Sequence, residues 1–359
     1  MNESFLIHEY GSEFYLPEIL EGKGISIKID AFNHHYLRSG RDAIGVVASA
    51  LSASYETVLM PAFCCSSMVA PFSNFGFNVV YYKLNKNMTI NLHDLYRKIS
   101  HKSVLIYIDY FGKDVGIKDT LQTIKNTFDN IPIIEDRTHD IFSEKIYAIY
   151  PDYIVSSLRK WLPLPSGGML FSKNSDIKVP DDSFFSTIRS RAMNEKFFYL
   201  KTGKIELKNQ YRELLRESEN YISHQKNLAT IDHASRKILE TYDVETMKLR
   251  RQNNFLFLWN TLDRNNGLFP LFDSIPECPL YFPVLTEDRD HVQSMLAQKN
   301  IYCPVIWPLP EAAGAECPVS REISSRILAI PCDQRYDESD MKYICDAMHA
   351  VLSQKGHLP

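Results

Sequence analysis

Residues 152–171 constrain this chain more than any other stretch. Tyr153-Ile-Val155 is a short apolar run of the kind that forms a buried strand. Ser156 and Ser157 follow, then the basic pair Arg159-Lys160, a proline-rich turn, and Gly167-Gly168 leading into a second apolar run, Met169-Leu-Phe171. A lysine just past a strand, among small hydroxyl residues, is a place where a protein can hold a reactive amine. Burial there lowers the ammonium pKa, and the free amine can form a Schiff base with a carbonyl compound. The other reading is an Arg-Lys pair in a solvated loop. Upstream, the apolar run 131–134 ends in two carboxylates, Glu135 and Asp136, and Asp136 stands 24 residues before Lys160.

Apolar runs at 57–60, 79–82, 104–109 and 131–134 read as strands, with helical patterns over 43–51, from about 65, and over 117–126 between them. Strands alternating with helices at this rhythm imply βαβ units in a mostly parallel sheet, with ligands at the strand C-terminal ends. Asp136, Lys160 and the loop 61–67 all fall at such ends. At Arg38-Ser-Gly-Arg-Asp-Ala43 a turn opens into a helix that Ser39 or Asp42 can cap, and Gly40 lets the backbone approach a ligand. Exposed N–H groups and the helix dipole there make a phosphate site, although an ordinary capped helix has the same pattern.

A chain of 359 residues exceeds the usual single core, so two domains are expected. The boundaries read as an arm over 1–30, a large domain over 31–243 and a smaller one over 244–359. A formal charge of −4 gives no hint of nucleic acid or an anionic membrane as partner. No stretch has the ~18 uncharged apolar residues that a membrane span needs. Seven irregularly spaced cysteines suggest neither a disulfide framework nor a zinc site. With no secretory pattern at the N-terminus, a cytoplasmic location is expected. A nicotinamide dehydrogenase is a third option, disfavoured because no Gly-x-Gly-x-x-Gly follows a strand.

The order strand–Glu-Asp, spacer, Ser-Ser-x-x-Lys, Gly-Gly–strand resembles the fold type I aminotransferases that use pyridoxal 5′-phosphate (PLP). More narrowly, it resembles the sugar aminotransferase family often called DegT/DnrJ/EryC1/StrS. Ser39-Gly-Arg-Asp-Ala43, Met60-Pro-Ala-Phe-Cys-Cys-Ser-Ser67 and Ile108-Asp-Tyr-Phe-Gly112 match in the same order, so the likeness is clear over 38–171, about a third of the chain. It implies an α/β fold: a large PLP-binding domain with a mostly parallel, seven-stranded type of sheet flanked by helices, plus a smaller C-terminal α/β domain. It also implies that Asp136 meets the pyridine nitrogen and that Lys160 carries the cofactor and moves the substrate proton. His139 stands where the family commonly has a glutamine bonding the phenolic oxygen. The phosphate turn maps onto Gly40, Arg41 and Asp42, the last without its carboxylate, and Ser156 and Ser157 are candidate hydroxyl contacts. Cys65, with Ser66 beside it, occupies the place where the family puts an aromatic ring over the cofactor.

Several positions depart from the family pattern. Arg137 replaces a smaller residue and would crowd the ring or bind a substrate anion. The partner-reaching Asn-and-Arg loop has no convincing copy, with Asn194 the one candidate. Trp307 and Arg335 are read either as substrate contacts at a domain cleft or as core packing and a surface ion pair. By the resemblance, the reaction moves an amino group from an amino acid, glutamate, to a nucleotide-linked keto-sugar. Both substrates are small molecules, and the protein is a homodimer with sites at the interface. Alternatives are another PLP reaction on the same scaffold, such as dehydration or racemisation, and a non-catalytic binding descendant.

Overall fold

The computed structural model describes all residues except 1–4, 17–21, 113–116, 129–130, 148, 225, 263–267, 272–273, 315 and 354–359. The chain runs β1 (Asn33–Leu37), α1 (Gly40–Leu51), β2 (Thr57–Pro61), α2 (Ser66–Asn74), β3 (Asn78–Tyr82), α3 (Leu92–Tyr96), β4 (Ser103–Ile108), α4 (Ile117–Thr127), β5 (Ile133–Asp136), β6 (Tyr153–Ser157) and β7 (Gly168–Ser172). Three helices follow, α5 (Phe184–Thr202), α6 (Ile205–His224) and α7 (His233–Thr241). The remainder is α8 (Val244–Thr261), β8 (Phe269–Pro270), β9 (Phe282–Leu285), α9 (Arg289–Ala297), α10 (Glu311–Gly314), α11 (Pro318–Arg326), β10 (Ile327–Ile330) and α12 (Glu338–Ser353).

β1 to β7 form one sheet in the order β1-β7-β6-β5-β4-β2-β3. All its strands are parallel except β7, which runs antiparallel to both β1 and β6. The mostly parallel seven-stranded sheet expected from the sequence is therefore present. β4 explains itself: Ser-Val-Leu-Ile-Tyr-Ile is buried at every position, as a central parallel strand covered on both faces must be. Because β3 lies on one side of β2 and β4 on the other, the winding reverses at β2. That is where open α/β sheets place a crevice at the strand C-terminal ends.

The second sheet, β10-β9-β8, is antiparallel. Strand alternation makes β10 a divider between two cores. Ile327 and Ala329 face the core of the large sheet, while Leu328 and Ile330 face a core built with Phe255, Leu258, Val292, Leu296 and Met348. α5 and α6 are separated by the turn at Gly203-Lys204, and α6 and α7 by an extended stretch. Around 227–231 the chain extends beside β1, where Arg38 N–H donates to the Ala229 carbonyl (2.9 Å) and Ile231 N–H to that of Tyr36 (3.3 Å). The N-terminal arm docks by its backbone, with Tyr10 bridging to Ile301. An arm element expected near 15–20 falls largely outside the described residues. Among the described residues no helix is long and apolar enough to cross a membrane, and no group of side chains is arranged to hold a metal ion.

Candidate active site

At the C-terminal ends of β2, β4, β5 and β6 lies a cavity of about 290 Å³. Gly40, Arg41, Cys65, Asp136, His139, Ser156, Ser157 and Lys160 all line it. Lys160 arrives on a short 3₁₀ turn, 158–160, directly after β6. Asp136 is the last residue of β5, next to β6 in the sheet. Thr138 links the two: its N–H donates to Asp136 Oδ1 (2.8 Å), and its hydroxyl accepts from Ser157 N–H (3.2 Å). Its carbonyl accepts from the Trp161 indole N–H (2.8 Å). Burial pushes the Asp136 acid above the ordinary carboxylate range, opposed by the Thr138 hydrogen bonds and then by the Lys160 ammonium. A buried carboxylate in this state favours a cationic donor placed against it.

α1 begins at the cavity. Ser39 is its N-cap, its hydroxyl accepting from Asp42 N–H (3.2 Å). The helix start is held close to β7 because Gly168 has no side chain: a Cβ there would stand 2.0 Å from the Ser39 carbonyl oxygen. A Cβ on Gly40 would meet Ser157 Cβ at 3.1 Å. The backbone N–H groups at the start of α1 and the Ser156 and Ser157 hydroxyls at the end of β6 thus lie close together, a combination suited to an anion.

His139 is buried, its ring between Phe111 (centroids 4.7 Å apart) and Trp307 (5.2 Å, planes 27° apart). Burial, then the Lys160 charge, hold its imidazole well below the usual range, so the ring is neutral at ordinary pH. His139 and Ser156 line the cavity, and their buried Nδ1 and Oγ atoms have no hydrogen-bond partner in the protein. Orphaned polar atoms at a cavity wall mark places for a ligand's polar groups. Together with the anion cradle and the desolvated Asp136, they fit a phosphorylated heteroaromatic ring such as PLP.

Not every candidate lies at the cavity. Asp42 is buried against Arg38 (2.7 and 3.2 Å) and is absent from the cavity lining, so the residue offers no side-chain contact there. Ser66, the first residue of α2, is exposed and lines a neighbouring depression with Arg38 and Asp42. Helix phase puts Ser67 on the cavity instead. Arg137 neither crowds the cavity nor is free for an anion; it donates to the carbonyls of Asp140 and Ser143 (2.7 Å each). Asn194 is exposed on α5 and is absent from the lining. Arg335 ties down the arm, holding the Ser12 carbonyl (2.9 Å) while paired with Asp333 (2.8 Å).

The sequence reading left Trp307 undecided and missed Arg159, Arg189, Glu219 and Glu13, all of which line the cavity. Trp307 packs on Phe63 (5.3 Å) as well as His139, with Lys160 Nζ 5.6 Å from its ring centroid. Its one sequence signal is its place among Pro304, Pro308 and Pro310, which disfavour regular structure.

Searches with the sequence find no matching family model and no matching curated protein. Solved structures do match. PseC of Helicobacter pylori, an aminotransferase involved in the biosynthesis of pseudoaminic acid, superposes with a TM-score of 0.64 at 12% identity, covering 97% of this chain and 100% of that one. DesV of S. venezuelae gives 0.62 at 17% identity, over 89% and 84%. The sugar aminotransferase CalS13 of Micromonospora echinospora gives 0.63 at 14%, over 88% and 87%. This chain has the fold type I aminotransferase fold. At such identities the likeness carries the architecture, and the chemistry has to be argued from the chain's own residues.

Proposed function

We propose that this protein is a PLP-dependent aminotransferase moving an amino group from an amino acid donor, glutamate, to a nucleotide-linked keto-sugar. One observation carries the reading: Asp136 and Lys160, from adjacent strands, line one cavity with unpartnered polar atoms and an anion cradle. A binding module needs neither a buried carboxylate for a ring nitrogen nor an amine beside it.

When bound, PLP supplies an aldehyde and an electron-accepting ring. Asp136 orients that ring and keeps its nitrogen protonated. Backbone N–H groups at the start of α1, at Gly40 and Arg41, hold the phosphate with the Ser156 and Ser157 hydroxyls. His139, held neutral and fixed between two aromatic rings, hydrogen-bonds the ring's oxygen. Lys160 Nζ would carry the cofactor and act as the base that takes the proton from the donor's Cα and delivers it to the cofactor's aldehyde carbon. Trp307 gives the cavity an aromatic wall beside Lys160, its ring centroid 5.6 Å from Nζ.

The sugar acceptor and the donor are supported by the fold likeness to enzymes described as sugar aminotransferases. The same reading carries a homodimer, a large domain over 31–243 with a smaller one over 244–359, and a cytoplasmic enzyme as parts of the proposal. Absorbance spectroscopy of the purified protein with added PLP, before and after glutamate, tests the core of the reading. A visible band that forms and then bleaches with glutamate is expected. A band indifferent to amino donors points to another PLP reaction, and the lack of any band removes the enzyme reading.

A further inference from the structure

A second group of charges lies behind Asp136, outside the cavity. Successive residues of a strand face opposite ways, so Asp136 lines the Lys160 cavity while Glu135 is absent from the lining. The Glu135 side chain is 0% exposed, and its Oε1 lies 2.5 Å from Lys145 Nζ. Its Oε2 accepts from the Tyr147 hydroxyl at 2.5 Å. The same Lys145 Nζ is 2.7 Å from Asp109 Oδ2, just past β4. Asp109 N–H in turn donates to the Asp136 carbonyl (3.0 Å), so the lysine bridge and the cavity carboxylate share one piece of backbone.

Among the described residues, Lys145 is the one cation ion-paired with either Glu135 or Asp109. Arg137 is turned to two carbonyls and stands 3.6 Å from Asp140 Oδ2. Asp109, Glu135 and Asp140 therefore share two cations, and the cluster has no positive charge to spare. Burial, then the charge of Asp109, push the Asp140 acid up to about 7. Burial opposes the Lys145 ammonium, but Glu135 and then Asp109 outweigh it and hold the group above its ordinary range. Around Asp136 itself stand Lys160, the neutral His139, and the Cys64 thiol and Tyr110 phenol, which burial keeps protonated. Of the charges acting on Asp136, Lys160 favours its ionised form and Glu135 opposes it. Two buried carboxylates one residue apart ionise together only where a counter-charge stays beside them.

We propose that Lys145 is that counter-charge, a positioning residue that keeps the Glu135–Asp136 pair doubly ionised and so holds the Asp136 carboxylate ready in the cavity. The charge balance stands on the contacts alone; only what the carboxylate serves rests on the amino-transfer reading.

An NMR titration of the full chain, no cofactor added and its Asp and Glu carboxyl carbons labelled with carbon-13, tests the balance. Asp136→Asn and Glu135→Gln assign the two lines, and the pair is followed as a unit. In Lys145→Gln the first proton should bind to the pair about one pH unit higher than in wild type, because one nearby charge is gone. Lys145→Arg, which keeps the charge, should titrate as wild type. Adding Glu135→Gln to Lys145→Gln should bring the Asp136 midpoint back to its wild-type value or below. A merely structural bridge would not recover on losing its second partner. Glu135→Gln alone should lower the Asp136 midpoint, which covers the case in which Lys145→Gln does not fold. An unchanged first protonation in Lys145→Gln would overturn the proposal, as would an Asp136 midpoint that Glu135→Gln does not lower. PLP affinity, measured by equilibrium dialysis, should fall about tenfold in Lys145→Gln and recover in the double variant. Equal affinity in Lys145→Gln and wild type would overturn the positioning role. Failure of the amino-transfer reading is seen separately, as the lack of a visible band with PLP in the wild type, and leaves the carboxyl titration unchanged.

Discussion

The Trp307 indole lies nearly parallel to the His139 imidazole, ring centroids 5.2 Å apart and planes 27° apart. The two residues are far apart in the chain, His139 just past β5 and Trp307 in the segment between α9 and α10. The contact lies on the wall of the Lys160 cavity and contributes to the burial that keeps the imidazole neutral.

Removing the indole exposes that ring. In Trp307→Ala the His139 imidazole, followed by NMR, should titrate closer to its ordinary value, while in the wild type its signals stay flat from pH 8 to 5. A flat profile in both proteins would show that Trp307 does not contribute to the burial.

The same residue imposes a pH dependence on stability. Burial first, and the Lys160 charge second, hold the folded-state pKa of His139 well below the unfolded value of about 6.5. The unfolded chain therefore binds more protons below that value. The contribution of His139 is complete above about pH 6.5 and is lost as the pH falls below it, by up to about 1.4 kcal/mol per pH unit. Melting temperatures measured between pH 7 and 5 should fall less steeply in His139→Gln.

Lys160→Ala should abolish the visible cofactor band and lower the transfer rate by at least the 10²–10⁴-fold, roughly, that a positioned acid–base group contributes. The circular dichroism spectrum should not change, because the side chain faces the cavity. A variant that still forms the band would refute its role.

Asp136→Asn keeps the shape and the Thr138 contact but removes the charge. PLP retention, measured by equilibrium dialysis, should weaken about 10- to 100-fold, matching roughly 1.5–3 kcal/mol for one hydrogen bond to a charged group. An unchanged dissociation constant would separate this carboxylate from the cofactor.

Gly168→Ala tests the cradle. Its Cβ would stand 2.0 Å from the Ser39 carbonyl oxygen and 2.9 Å from Gly40 N, both backbone atoms. The start of α1 or β7 must shift, costing about 1–3 kcal/mol in thermal or urea unfolding. PLP affinity should fall with it.

The elements at the strand ends could be read directly because their signals are local. An apolar run such as 104–108 has to be a buried strand, and Ser39 before an apolar helix has to be a cap. Once the βαβ rhythm puts those strands in parallel, Asp136, Lys160 and Gly40 share one edge of the sheet through chain connectivity alone. Their meeting in one cavity follows from the alternation of residues and turns between 38 and 171.

Tertiary structure decided everything that arrives from elsewhere. Trp307, Arg189, Glu219 and Glu13 belong to the C-terminal segment, α5, α6 and the arm, and no local pattern marks any of them. Charged residues on α5 and α6 look like a solvated face until Phe185 and the opening of the cavity turn Arg189 inward. Ser66 and Ser67 differ only by the 100° that one residue turns on a helix, which composition does not reveal. Local sequence determined the sheet and its catalytic edge, because both depend on neighbours along the chain. The places of Trp307, Arg189 and Glu219 depend on neighbours in space, which only packing between distant elements supplies.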